Sequence, residues 1–372
     1  MNSTMNRRTL LTGMFGGAAT LALPTELLAQ LMGPAPGMIR LTSNENPYGP
    51  SESALAAARE AAAKGAYYPG AQLTRGLMQA IADQNGIGTE NIALTSGSNE
   101  ALCAATLAWS KHGTIVAPDL TYDLHLGFGE RAGVEVVRVP LDDDFGINLD
   151  RLEAAVDNSV SMVYVCNPNN PTGLTLDGDR LRDFCLTVGE RATVIVDEAY
   201  NELTDKPDYT SMIDLVREGR NVIVMRTFSK LHGMAGLRIG YAMGRADLVA
   251  RTRSHVTAWP NIVGLAAANA SYKDEAFISF SREKIIEGRK MVVDALESQG
   301  IEPLPSQTNF VFADIGRNVN EFAALMRERN VQIRRSYGRW ENHMRVSMGK
   351  LDELEVFADV FAELYGGRRK SA

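Results

Sequence analysis

The chain has few of the residues that build metal sites and disulfide frameworks. Its 372 residues include three cysteines, Cys103, Cys166 and Cys185, and five histidines. The cysteines lack zinc-ligand spacing, and no two histidines form an HxH or HxxxH pair. We therefore expect no metal, and we interpret the cysteines as small buried apolar residues.

Clustered positive charge and long apolar runs are also scarce. The formal net charge is -7, and the acidic and basic residues are interspersed. This argues against nucleic-acid binding, because a surface that follows phosphates needs clustered lysine and arginine. The basic run at 366–370 is typical of a solvated tail. The apolar stretch near the N-terminus is too short for a membrane span.

The first thirty residues have a composition of their own. Arg7 and Arg8 precede an apolar stretch at 10–23, and no further lysine or arginine occurs before Arg40. This charge order is typical of a twin-arginine export signal, which carries folded proteins with their cofactors already loaded. We therefore expect a leader over 1–30 and a periplasmic protein. The alternative is a cytoplasmic protein whose N-terminal arm packs on a partner subunit.

From residue 39 onward, strand-like apolar runs alternate with helical patterns. The first group lies at 92–94, 114–117, 134–139, 161–166, 193–197, 221–226 and 238–243. Several of these runs are almost continuously apolar, as in strands buried on both faces of a mainly parallel sheet. The alternation predicts an α/β sheet covered by helices.

After about residue 270 the pattern changes. Shorter strand-like runs follow at 308–313, 330–334 and 344–348, and helical patterns follow at 318–329 and 351–364. This predicts a smaller α/β layer. We expect a segment at 39–60 that joins the small domain, a large domain at 61–270 and a small C-terminal domain at 271–372.

Lys230 follows a buried strand directly. It ends the run Thr227-Phe228-Ser229-Lys230, after the predicted strand at 221–226. Open α/β sheets place ligands beyond the carboxyl ends of their strands, so this lysine would face a cleft. There, a lysine of lowered pKa can bond to an aldehyde cofactor. Alone, the pattern also suits a solvated surface lysine.

Arg238 lies among Gly233, Gly236 and Gly240 in the segment after Lys230. The glycines let the backbone approach a ligand closely, and the arginine offers a planar fork for a phosphate. The hydroxyl of Ser229 would add a further contact. A salt bridge at the start of a strand is the alternative for the arginine.

Asp197 ends the predicted strand at 193–197. A buried carboxylate is costly unless a cation neutralises it, and a protonated pyridine nitrogen would do so while keeping that ring an electron sink. Tyr200 and Asn170 are placed to contact the phenolic oxygen of the same ring. A turn-capping role for Asp197 and an ordinary Asn-Pro turn around Asn170 are the alternatives.

Four further residues belong to the candidate site. Ser98 and Asn99 open a predicted helix, where free N–H groups suit a phosphate, although simple N-capping is compatible. Tyr122 follows a strand and is placed to stack on a ring, but such a residue is more often core or surface filler. Arg345 lies inside an apolar strand and needs a negatively charged partner. This partner would be a substrate carboxylate or, alternatively, an acidic side chain in a structural ion pair.

Together these segments resemble fold-type-I pyridoxal-phosphate (PLP) enzymes of aminotransferase class I/II, and among them the histidinol-phosphate aminotransferase group. The similarity covers residues 39–364. It includes the substrate-site segment at 41–50, which contains Asn46, and the Tyr67-Tyr68-Pro69 turn. It also includes the strand that ends at Arg334.

The resemblance implies a homodimeric enzyme that moves an amino group between an amino acid and a 2-oxo acid by a ping-pong mechanism. Lys230 would carry PLP and act as general base and acid, Asp197 would pair with the ring nitrogen, and Asn170 and Tyr200 would hold the phenolic oxygen. The phosphate would be held by Ser98, Asn99, Thr227, Ser229, Arg238 and the partner subunit's Tyr68. Asn46, Arg334 and Arg345 would bind the substrate.

Two other functions remain open on the same fold. The pocket would also suit a PLP-dependent decarboxylase or an oxidase of amino acids, and keto-acid formation without an amino acceptor would favour these. A non-catalytic module that binds PLP is the more remote alternative.

Overall fold

A seven-stranded sheet is the framework of the protein, which a computed structural model describes over residues 33–366. The leader predicted over 1–30 lies outside the described residues. With strands numbered along the chain after β1 (Ile39–Leu41), the sheet contains β2 (Ile92–Thr95), β3 (Thr114–Pro118), β4 (Val136–Val139), β5 (Val160–Cys166), β6 (Thr193–Asp197), β7 (Val222–Thr227) and β8 (Gly240–Gly244). The strand order is β2-β8-β7-β6-β5-β3-β4.

All neighbouring strands of this sheet pair in parallel, except that β8 is antiparallel to both β2 and β7. The prediction of a mainly parallel α/β sheet is therefore confirmed. In β5, Val163 and Val165 belong to one apolar cluster, and Met162 and Tyr164 belong to another on the opposite face. Helices cover both faces, which explains why the central strands are apolar almost throughout.

Helices connect the strands and build the second layer. Those described are α1 (Glu52–Ala62), α2 (Ala71–Asn85), α3 (Ser98–Ser110), α4 (Leu124–Arg131), α5 (Leu149–Ala154), α6 (Gly178–Gly189), α7 (Pro207–Thr210), α8 (Ile213–Arg217), α9 (Ala246–Arg253), α10 (Ile262–Ser271), α11 (Glu275–Glu297), α12 (Val319–Glu328) and α13 (Leu351–Gly366). Local chemistry sets several ends: Ser51 caps α1 by accepting from Ala54 N–H, and Gly86 ends α2 in the left-handed region. Among residues 33–366, no helix is both long and apolar enough to cross a membrane.

The smaller layer contains two two-stranded sheets. β1 pairs in parallel with β10 (Val331–Ile333), and β9 (Phe310–Asp314) pairs antiparallel with β11 (His343–Ser347). The sequence pattern predicts the other strands of this layer and a segment at 39–60 that joins the small domain, but it does not predict that this segment contributes the strand β1. The domain boundaries at 60/61 and 270/271 remain predictions.

The carboxyl ends of the parallel strands form one edge of the large sheet. Cys166, Asp197 and Thr227 are the last residues of β5, β6 and β7. In the smaller layer, β11 contains Arg345, and Arg334 follows β10 directly. The fold therefore brings the chemistry-bearing segments of both layers to one cleft.

Candidate active site

A cavity of about 730 Å³ lies at this edge, a volume suited to a cofactor with its substrate. Both layers contribute to its walls. Most of the site residues predicted from the sequence line it, namely Ser98, Asn99, Tyr122, Asn170, Asp197, Tyr200, Thr227, Ser229, Lys230, Arg238, Arg334 and Arg345.

Lys230 projects into the cavity from the turn after β7. Its Nζ donates to the carbonyl oxygen of Asn44 at 3.1 Å and lies 5.4 Å from the ring centre of Tyr200. Burial, together with the positive charge of Arg345, lowers the pKa of Lys230 to about 8. Roughly a tenth of this amine is therefore uncharged at pH 7, far more than for an ordinary lysine, and a nucleophile or a general base requires this form.

Asp197 lies at the floor of the cavity and is only 2 % exposed. One carboxylate oxygen accepts from the N–H of Ala199 at 3.1 Å, and the other accepts from the hydroxyl of Tyr164 at 3.2 Å. Neither partner is a cation, and burial raises the pKa of Asp197 to about 6. A protonated ring nitrogen beside this carboxylate would supply the missing positive charge.

Three polar side chains meet beside Lys230. The hydroxyl oxygen of Tyr200 accepts from Asn44 Nδ2 at 3.0 Å and from Asn170 Nδ2 at 3.3 Å. Burial raises the pKa of Tyr200, so its hydroxyl stays neutral and can itself donate. This cluster is suited to hold a phenolic oxygen.

A cradle for a phosphate forms between the start of α3 and the turn after β7. Arg238 donates from Nη1 to Ser229 Oγ at 3.2 Å, and Thr227 donates to the same oxygen at 2.9 Å. Gly97, with φ of 83°, precedes α3, and a Cβ there would collide with the guanidinium of Arg238. Among residues 33–366, no side chain caps α3, so its first N–H groups remain available to an anion at Ser98.

Tyr122 forms the wall opposite the strand ends. Its hydroxyl donates to Asn99 Oδ1 at 3.2 Å, and its ring lies 6.2 Å from that of His125 at an interplanar angle of 24°. The tyrosine is therefore fixed from behind and presents an aromatic face to the cavity.

Arg345 is a buried cation, 4 % exposed, whose contacts leave its charge uncompensated. Nη1 donates to Asn170 Oδ1 at 2.8 Å, and Nη2 donates to the carbonyl oxygen of Thr42 at 2.6 Å. Within the part of the chain that the structure describes, its Nε has no hydrogen-bond partner. A buried guanidinium in this state requires an anion from a ligand.

Aromatic rings and a second cation form the outer wall. The guanidinium carbons of Arg334 and Arg345 lie 4.8 Å and 5.7 Å from the ring centre of Tyr337. The Tyr337 hydroxyl is buried and has no partner among the described residues. Trp340 lines the same end of the cavity.

Two of the predicted site residues do not line the cavity. Tyr68 is 84 % exposed and contacts Trp259, which is consistent with a role toward another subunit but does not test it. Asn46 donates from Nδ2 to Leu231 O at 2.7 Å and to Ser281 Oγ at 2.8 Å, so its contact with substrate stays a prediction. Asn44 lines the cavity instead.

Asn44 was not predicted as a site residue, although its residue type suits its backbone. Its backbone has φ of 54°, a region that asparagine tolerates better than most residues. Its side-chain oxygen accepts from Ser347 Oγ at 2.7 Å, so β11 holds it in place. Tyr164, Tyr337 and Trp340 were also missed, because nothing in their local sequence distinguishes them from core or loop aromatics.

The fold and the site define a PLP-dependent enzyme of fold type I. Residues 36–361 match the family model "Aminotransferase class I and II", and the chain belongs to this family. The donors, the aromatic wall and the buried carboxylate described above fit PLP at every part of that molecule. The protein is an aminotransferase.

Relatives of known name agree with this assignment. The chain is 33 % identical over 334 residues to a histidinol-phosphate aminotransferase of Moorella thermoacetica, covering 88 % of this chain and 85 % of that protein. It is 36 % identical over 329 residues to an aromatic amino acid aminotransferase of Rhodococcus opacus, covering 87 % and 89 %. The crystal structure of a Sinorhizobium meliloti histidinol-phosphate aminotransferase in complex with pyridoxal-5'-phosphate matches with a TM-score of 0.81 at 27 % identity, covering 99 % of each chain.

Proposed function

We propose that the amino donor of this aminotransferase is an α-amino acid with an aromatic side chain. The observation that carries the proposal is the uncompensated charge of Arg345, which lines the cavity together with Lys230. An α-carboxylate would supply the missing anion, and its side chain would then extend toward Tyr337 and Trp340. Flat rings there favour a planar apolar group.

In this mechanism, bound PLP supplies an aldehyde that takes up the amino group and a ring that draws electrons from the carbon that loses its proton. Arg345 orients the substrate through its carboxylate. The amine of Lys230 would remove the proton from the α-carbon and hold it for return. Asp197 holds the proton of the ring nitrogen, while Asn170 and Tyr200 hold the phenolic oxygen.

A panel of amino donors in single-turnover half-reactions tests the proposal. We expect L-phenylalanine and L-tyrosine to convert the bound cofactor with kcat/KM about tenfold or more above L-alanine, because burying an aromatic side chain contributes ~1.5–3 kcal/mol. Equal rates with L-alanine, or a preference for L-aspartate, would contradict it. More than one keto acid per bound cofactor without an amino acceptor would instead indicate oxidation, and release of CO2 would indicate decarboxylation.

Histidinol phosphate is the second candidate donor. The observation in its favour is that two guanidinium groups, of Arg334 and Arg345, lie over one ring of Tyr337. A phosphate with two negative charges suits such a pair better than a single carboxylate. A kcat/KM for histidinol phosphate above that for L-phenylalanine would favour this donor.

We also propose that the enzyme is a homodimer whose sites are completed across the interface. Tyr68 and Trp259 are 84 % and 72 % exposed and contact each other edge to face. Covering two large rings would favour association with a second copy. Mixing Tyr68→Phe chains with Lys230→Ala chains should restore one intact site per mixed dimer. As a control, mixing Asp197→Ala with Lys230→Ala chains should restore none, and equal results in both mixtures would contradict the proposal.

Export through the twin-arginine route is a further proposal, supported by the charge order around Arg7 and Arg8. Cells that express the intact chain should show activity in the periplasmic fraction. The Arg7→Lys, Arg8→Lys double variant should lose this activity, whereas the control Arg59→Lys, in exposed helix, should keep it. Wholly cytoplasmic activity from all three would contradict export.

A further inference from the structure

The carboxylate of Asp197 has a side-chain donor on the side away from the cavity. Tyr164 lies on β5, opposite Ile195 of β6, and is fully buried. Its hydroxyl donates to Asp197 Oδ2 at 3.2 Å, while the other oxygen accepts from the backbone of Ala199. Among residues 33–366, Tyr164 is therefore the one side chain that donates a hydrogen bond to this carboxylate.

Tyr164 is itself fixed from behind. The ring of His125 packs against it with centres 4.4 Å apart at 66°. His125 is fully buried, and burial lowers its pKa to about 3, so it adds no charge beneath Asp197. The charged partner of the Tyr164 hydroxyl is therefore the carboxylate of Asp197.

The adjacent carboxylate does not share this role. Glu198 accepts from Arg226 Nε at 3.0 Å and from Arg226 Nη2 at 2.9 Å, as well as from Ser211 and the backbone of Met212. Its charge is thus satisfied within the large domain. The remaining titratable groups that face Asp197 are Lys230, Cys166, Tyr122 and Tyr200.

We infer that Tyr164 is a positioning residue that keeps Asp197 ionised and aimed at the ring nitrogen of PLP. A hydrogen bond to a carboxylate stabilises its charged form and lowers its proton affinity. The proton shared with the ring nitrogen then stays on the ring, where it strengthens electron withdrawal. Without the hydroxyl, the carboxylate becomes more basic and draws this proton toward itself. The inference does not depend on which amino donor the enzyme uses.

The test compares Tyr164→Phe, which keeps the ring and most of the buried volume, with wild type. Each protein is loaded with PLP labelled with ¹⁵N in the ring, and the ¹⁵N chemical shift reports the protonation of that nitrogen. We expect the variant signal to move toward the unprotonated value and the Kd for PLP to rise about tenfold, the loss typical of a hydrogen bond to a charged group. The control Tyr241→Phe removes another buried tyrosine hydroxyl, in a different core cluster, and should leave both unchanged.

A double-mutant cycle distinguishes this role from simple packing. If Tyr164 acts through Asp197, then Tyr164→Phe should not weaken PLP binding further in an Asp197→Asn background. A wild-type ¹⁵N shift in Tyr164→Phe, or an equal rise in Kd in both backgrounds, would overturn the inference. If Tyr164→Phe does not fold, Tyr164→4-fluorophenylalanine fills the position of the hydroxyl but cannot donate, so its ¹⁵N signal should also move toward the unprotonated value. A wild-type ¹⁵N shift in that protein would overturn the inference.

Discussion

Replacing Arg345 by lysine should impair the use of α-amino acids far more than it impairs folding or PLP binding. Arg345 is held by Asn170 and by the backbone of Thr42, and these contacts leave its Nε–H free. A lysine keeps the positive charge, but it loses the planar fork that pairs with both oxygens of a carboxylate. Its flexible chain also cannot make both of the contacts that fix the arginine.

The expected loss of kcat/KM follows from the hydrogen bonds that Arg345→Lys removes. Loss of a bidentate, charge-assisted contact costs about 3 kcal/mol, which corresponds to roughly a hundredfold in kcat/KM. Because the carboxylate is bound before and during proton transfer, we expect most of this loss to appear as a higher KM. Arg334, which is exposed at the outer wall, is the matched control.

The assay measures kcat and KM for L-phenylalanine and L-alanine with Arg345→Lys and Arg334→Lys proteins. Arg345→Lys should lose efficiency with both donors to the same extent, since both have the same carboxylate. Arg334→Lys should leave L-alanine unaffected. Thermal melting and PLP titration check that both variants are folded and loaded. An Arg345→Lys enzyme with wild-type kcat/KM for L-alanine would refute the role of Arg345.

Two further predictions concern cofactor binding. Because the pKa of Lys230 is lowered to about 8, the rate of covalent PLP uptake by the cofactor-free protein should reach half its plateau near pH 8 and level off above about pH 9. A stopped-flow rate that keeps rising to pH 10 would contradict this. Gly97→Ala should displace Arg238 and should cost roughly 1–2 kcal/mol, because the backbone at residue 97 has a positive φ, so PLP should bind more weakly. The control Gly236→Ala, where a Cβ has open space, should not alter PLP binding. Equal PLP affinity of the two variants would argue against the phosphate cradle.

Much of the large sheet could be predicted because its strands are short apolar runs that end at polar, chemistry-bearing turns. Cys166 and Asp197 end such runs and Thr227 directly follows one, so their common edge follows from parallel pairing alone. The ends of strands were harder to predict where the backbone departs from regular strand geometry. The strand expected at 238–243 begins at Gly240, because Arg238 adopts the left-handed region with φ of 55°.

Contacts between distant segments could not be predicted from the sequence. The pairing of β1 with β10 joins residues almost three hundred positions apart. A strand of three residues is too short for its sequence pattern to indicate which strand it pairs with. The choice of Asn44 over Asn46 depends on Ser347, which holds the first asparagine, and on Ser281, which binds the second. The contact between Tyr164 and Asp197 depends on the pairing of β5 with β6.

The central claim is that Lys230 carries PLP in this aminotransferase. Borohydride reduction of the loaded enzyme, followed by digestion and mass spectrometry, should place the pyridoxyl label on the peptide that contains Lys230. Lys206→Ala, which changes an exposed lysine, should be labelled as wild type is. Lys230→Ala should carry no label and should lose turnover. A label on another lysine, or full turnover by Lys230→Ala, would contradict the account.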